Sequence, residues 1–139
     1  MSREDEHETI AQLEHCLSEL RPTLRSSTYI FATVTPGELA NFNDSIIATF
    51  REAEGISVIV EEDAARKAGL PTGPCFRCIT LQVYSSLEAV GLTAIVATAL
   101  SDAGISANVV AATHHDHVFV PAVRAEEALA ILRGLSKDT

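Results

Sequence analysis

Two stretches set sixty positions apart do most to limit the folds open to this chain: ATFREAEGISVIV, starting at Ala48, and NVVAATHHDHVFV, starting at Asn108. Each reads as strand, polar turn, strand, and each leads into an Ala- and Glu-rich helix, so the chain is read as two related halves. Another strand precedes each hairpin. In the second half the interval between them has room for a long helix. In the first half it is about ten residues shorter. A parallel crossover needs about a dozen residues, so only a very short helix fits between Val34 and Ser45 and the first half is degenerate.

The remaining periodicities fill in the elements. Ile10, Leu13, Leu17, Leu20 and Leu24 recur at three- and four-residue steps, the stripe of an amphipathic helix interrupted by Pro22. Residues 28–34 (TYIFATV) form a strand that stops at Pro36-Gly37, and a polar loop runs on through Asp44. Residues 45–52 and 56–60 make a hairpin around Glu54-Gly55, whose charges, Arg51 included, read as a solvated tip. A short helix over 62–68 ends at Gly69, followed by the breaker-rich LPTGP. Residues 78–84 are the next strand, and Ser85 with Glu88 forms a capping box that starts a long helix ending at Ala103 with Gly104 as its cap. Strands over 106–112 and 117–121 and a last helix over 124–135 complete the chain, the helix turning Ala125, Ala128, Leu129, Leu132 and Leu135 toward the sheet.

The second half thus reads β-α-β-β-α and lacks one strand of a four-stranded antiparallel sheet. That strand must be borrowed, so the halves are expected to share strands in one sheet with residues 78–84 near its middle. The expected division is 1–74, an N-terminal helix with the degenerate half, and 75–139, the complete unit.

Composition narrows the function. With 47% apolar residues the chain buries a real core, and no apolar run approaches the roughly 20 residues of a membrane span. The N-terminus is acidic where a secretory signal is basic, so a cytoplasmic protein away from membranes is expected. A net charge of −9, with ten scattered Lys and Arg, speaks against nucleic acid as a partner. Cys16, Cys75 and Cys78 are an odd number suited to a reducing compartment. Cys75 and Cys78 form a lone C-x-x-C entering a strand, where residues three apart diverge, and read as ordinary thiols.

His114-His115-Asp116-His117 is the most conspicuous polar cluster. A metal site is one reading of it; a polar hairpin turn is the favoured one, in which Asp116 can hold an amino group and a protonated His115 a carboxylate. Gly91 lies within the expected helix at a cost of about 1 kcal/mol relative to Ala, and forms a small-residue ridge with Ala94 and Ala97. Tight packing and ligand contact both account for it. No phosphate loop, nucleophile elbow or zincin motif is present, so no enzyme activity and no cofactor are expected.

SSLEAVGLT at residues 85–93, LSDAGIS at 100–106 and HHDHVFVP at 114–121 resemble ACT domains, in particular small bacterial tandem ACT-like proteins related to the regulatory domains of aspartate kinases. FREAEG at 50–55 belongs to the same resemblance, which runs from about Thr28 to the end of the chain. It implies an α+β, ferredoxin-like (βαββαβ) fold in two pseudo-repeated halves sharing a mainly antiparallel sheet, with helices packed on it. ACT domains bind amino acids or other small ligands at domain interfaces and signal to an attached enzyme. No enzyme is attached in this sequence, which puts regulation in cis out of reach. The resemblance therefore implies a non-catalytic, homodimeric binding protein for a small molecule, an amino acid first. A metal-binding protein or metal-dependent enzyme using His114, His115, Asp116 and His117, and a protein interaction scaffold, are the alternatives. The expected ligand site is the helix start, whose backbone N–H groups suit a carboxylate, with the neighbouring turn: Ser85, Ser86, Val90, Gly91, Leu92, Asn108, His115 and Asp116. The segment from Tyr84 to Gly91 lacks the proline of many ACT leading turns, so a pocket of different shape and charge is expected.

Overall fold

The β-branched and aromatic run that follows Pro22 sets the first strand, and it is longer than the sequence reading. In the computed structural model, which describes residues 3–84 and 86–137, β1 spans Pro22–Val34 and the preceding helix α1 spans Arg3–Ser18. Leu24 therefore lies in a strand and not in the N-terminal helix. Proline has no N–H and its ring clashes with the preceding turn, so the helix stops short of it, and Pro22 takes the first position of the strand. Arg21, between them, turns the chain with φ at 44°.

A four-residue helix α2, Pro36–Leu39, follows, as the short interval demands. Thr35 and Glu38 cap it reciprocally: the Glu38 N–H donates to Thr35 Oγ1 at 3.2 Å, and the Thr35 N–H donates to Glu38 Oε1 at 3.0 Å. The hairpin is β2, Ile46–Glu52, with β3, Gly55–Glu61, and its register slips between Ile46 and Ala48. Helix α3, Glu62–Lys67, has acidic residues in its first turn and basic ones in its last, complementing its dipole. Strand β4 is Phe76–Leu81, helix α4 Leu92–Asp102, strand β5 Asn108–Ala111, strand β6 Asp116–Pro121 and helix α5 Ala125–Lys137.

Helices α3 and α4 end alike. Gly69 and Gly104 adopt φ of 74° and 72°. The next N–H, of Leu70 or Ile105, returns to the carbonyl of Ala65 at 3.0 Å or Leu100 at 2.9 Å. This is the Schellman arrangement read from the Ala-Gly pairs, and at α4 it is accompanied by burial of Ile105.

The start of α4 is not where the sequence placed it. Residues 86–89 close a turn, the Ala89 N–H donating to the Ser86 carbonyl at 2.9 Å, and the helix begins at Leu92. Gly91 is its N-cap at φ 104°, a conformation that ends any helix running in from the N-terminal side. The capping box read at Ser85 falls outside the described residues.

The strands are hydrogen-bonded in the order β2-β3-β1-β4-β6-β5, with antiparallel ladders in β1·β3, β2·β3 and β5·β6. The chain divides into one unit of Ser26–Arg77 and a second made of the residues up to Arg25 and from Cys78 onward, so β1 and β4 each carry residues of both. In the first unit, cross-strand neighbours Ile30 and Val60, Ala32 and Val58, and Val34 and Ile56 share the face that packs with Phe42 and Ala65. In the second, Ile79, Leu81, Val118 and Val120 meet Leu92, Val96 and Leu100 of α4 and Ala128, Leu129 and Leu132 of α5. Leu17 and Leu20 belong to this same core. Each such leucine contributes about 1.5–3 kcal/mol of burial.

Candidate functional site

Two groups of polar residues stand out in the second unit, on different faces of its sheet. The first gathers the loop after β4, the start of α4 and the β5–β6 turn. Helix α4 has no side-chain cap at Gly91 and no acidic residue in its first turn, so its opening N–H groups are met by no carboxylate of their own helix. His115 reaches the loop, Nδ1 lying 3.4 Å from the Val83 carbonyl, and the rings of Tyr84 and His114 meet edge to face at 6.4 Å. Ser86 accepts from the Glu88 N–H at 3.2 Å. Val90 is 72% exposed, whereas the Leu92 side chain is sunk in the core, which leaves only its backbone to face a ligand.

Helix α1 lies over this corner. A Cβ built on Gly91 would meet Leu13 Cδ2 at 3.2 Å, and Gln12, Leu13 and Cys16 line a cavity of about 20 Å³ with Ala89, Val90 and Leu92. The glycine thus serves close packing against α1, and its ridge partners Ala94 and Ala97 follow it on the helix proper.

Ser86, Val90, Gly91 and Leu92 occupy this corner with the His115 and Asp116 turn; Ser85 lies outside the described residues. Asn108 does not join them. It follows α4 through the Gly104 cap, at the far end of a helix about 16 Å long. It pairs with Phe119, and Val110 with His117, which puts Asn108 on the sheet face of His117. Asp116 pairs with Ala111 on the other face.

The second group lies on the face turned away from α4 and α5, because Cys78 and Thr80 alternate with the core residues Ile79 and Leu81. Arg25 Nε donates to Thr80 Oγ1 at 3.2 Å, and Thr80 Oγ1 lies 2.9 Å from His117 Nδ1. Thr80 is 5% exposed, Arg25 is exposed and His117 half-buried, so the chain of bonds climbs from the interior to the surface. Sequence reasoning noticed His117 but missed Arg25, assigned to the run of the helix stripe, and Thr80, a lone hydroxyl between Ile79 and Leu81.

Burial, then Arg25, then His115 hold the His117 imidazole below its ordinary range, with Asp116 opposing them. In the unfolded chain the ring titrates at its usual value, about 6.5. As pH falls below that value the unfolded state takes up a proton that the folded state refuses, so this group's contribution to stability is lost on acidification. The difference in melting temperature between the parent and His117→Asn should therefore change between pH 7.5 and pH 5, the parent losing more.

The three histidines of the turn have separate environments: His114 is exposed, His115 reaches Val83 and His117 reaches Thr80. Among the described residues no group of three or more His, Cys, Asp or Glu is placed to hold a metal ion. Cys78 is buried beside Thr80 and Cys75 lies near Glu62, and burial raises both thiols. No described helix is long and apolar enough to cross a membrane.

Comparison with known proteins agrees with this architecture. A protein of unknown function from Vibrio cholerae, described as a possible transport protein, is 42% identical, with a TM-score of 0.82 over 92% of this chain and 98% of its own. An Agrobacterium tumefaciens protein is 19% identical with a TM-score of 0.68, over 83% and 87% of the two chains. The regulatory subunit of aspartate kinase from Thermus thermophilus is 13% identical with a TM-score of 0.60, over 82% and 95%. No curated protein sequence matches. Two family models for the ACT domain match, one over residues 8–77 and the other over 76–134. With two such matches end to end and that relative from Vibrio cholerae, the chain belongs to the ACT domain family, as a tandem pair.

Proposed function

We propose that this protein is a non-catalytic regulatory module that binds a free amino acid at the start of α4. The observation that carries the reading is the uncapped helix start at Gly91, flanked by the His115 and Asp116 turn. Backbone N–H groups at a helix start accept a carboxylate, and Asp116 supplies the opposite charge for an ammonium group. Membership of the ACT family supports a ligand-binding, regulatory role. A homodimer in the cytoplasm is the assembly and place that go with this reading.

A ligand that binds only the folded state at a hundredfold its Kd stabilises by about 2.7 kcal/mol, enough to raise Tm by several degrees. A thermal-shift screen of the free amino acids should find at least one that does so. Asp116→Ala and His115→Ala should each weaken that amino acid tenfold or more by calorimetry. A screen without any rise, or variants that bind as the parent does, would remove the proposed site.

A further inference from the structure

Thr80 is a buried polar side chain on a sheet face that its own unit's helices leave uncovered, and it holds two basic side chains at once. Its hydroxyl oxygen accepts from Arg25 Nε, so its single proton is available to donate to His117 Nδ1. An imidazole that accepts at Nδ1 carries its proton on Nε2, pointing onward from the chain of bonds. The guanidinium is fixed through Nε by the same oxygen. A neutral strand residue therefore orients a permanent cation and an N–H donor together at the surface of a protein whose net charge is −9.

Facing this pair are His115 and Asp116 from the turn, Cys78 from β4, and Asn108 and Val110 from β5. Only Asp116 is acidic, and its register partner Ala111 puts it on the opposite face of the sheet. We infer that Arg25, Thr80 and His117 form a second ligand site, distinct from the start of α4, that takes a small carboxylate between the guanidinium and the imidazole. The planar guanidinium suits a carboxylate, whose two oxygens accept charge-assisted hydrogen bonds from Arg25 and His117. A bound anion also offsets the repulsion from Arg25 and His115 that holds the His117 proton off, so binding strengthens as pH falls toward 6.

Succinate at constant ionic strength, made up with chloride, is the probe, and the readouts are calorimetry and the ring resonances of His117 by NMR. The parent should show saturable binding of one succinate with a shift of the His117 resonances, at least threefold tighter at pH 6 than at pH 8. Arg25→Gln should weaken it tenfold or more, Arg25→Lys less than Arg25→Gln, and Thr80→Val should weaken it although it removes no charge. Circular dichroism identifies any variant that fails to fold; Arg25 is exposed, so its variants keep the test alive if Thr80→Val does not fold. His115→Ala should leave succinate bound, which separates this site from the one at the start of α4. The inference is overturned if the parent shows no saturable shift up to 50 mM (about a hundred times a Kd in the ~0.5 mM range,), or if Arg25→Gln binds as the parent does.

Discussion

Replacing Leu20 with alanine should cost the protein about 4 kcal/mol, a large part of the 5–15 kcal/mol that holds a typical domain folded. Leu20 is fully buried and packs in one core with Ile79, Leu81, Val83 and Leu129. Its carbonyl accepts from the Val83 N–H at 3.3 Å, so the backbone on both sides is committed and cannot move in to fill the space. Cavities that cannot collapse lie at the expensive end of the range for leucine truncation. Leu24→Ala, at the edge of the same core, should cost about 1–2 kcal/mol. Urea denaturation of both variants checks this, and equal losses would mean that Leu20 has no special place at the joint between α1 and β1.

Gly91→Val should destabilise by about 2–4 kcal/mol through two separable effects. The first is backbone strain, since a β-branched residue is forced to φ 104° at the N-cap of α4. The second is the contact with Leu13, 3.2 Å from the position of the added Cβ. A double-mutant cycle tells them apart. In a Leu13→Ala background the contact disappears and the strain stays, so Gly91→Val should cost less there by about 1 kcal/mol. Purely additive losses would show that Leu13 yields freely and that strain accounts for everything. Loss of ligand by Gly91→Val is for the same reason a poor test of the binding site, whereas substitutions in the His115 and Asp116 turn leave this backbone untouched.

The elements that sequence reasoning placed well are those whose signals are local. The Ala-Gly pairs at 68–69 and 103–104 each supply a left-handed cap and an apolar residue to close it, and both helices end there. The α5 stripe and the tip at Gly55 are equally self-contained, and the shortness of α2 follows from the length of its interval alone. The start of α4 was misplaced because Ser85-Ser86-Leu87-Glu88 imitates a capping box, while the deciding residue, Gly91, reveals its positive φ only once Leu13 packs beside it. Leu24 continued a helical period by coincidence beyond a proline. Of the site residues, those in the loop and the turn were found because they are close in sequence and polar. Asn108 was grouped with them wrongly, since a strand four residues long separates the turn from the end of α4. Arg25, Thr80 and His117 come from three strands spread over most of the chain, and only the pairing of those strands makes them neighbours.

One unit of this protein is inserted in the sequence of the other. Residues 26–77 form a continuous piece, whereas the remaining unit is assembled from two segments with that piece, roughly fifty residues, between them. If the interruption were a loose loop, closing it would charge the split unit a substantial entropy before any of its contacts could form. Within the continuous unit, however, Phe31 of β1 already meets Phe76 of β4, their ring centroids 5.1 Å apart. Its two ends are thereby held on neighbouring strands, and the loop is closed in advance. The order of folding follows: the continuous unit forms first and acts as a clamp, and the split unit, with the N-terminal helix and both groups of polar residues, condenses on the paired strands it presents. On a ribosome the first twenty-five residues must therefore wait for residues beyond Cys78 to emerge, and Leu17 and Leu20 stay without their core until then.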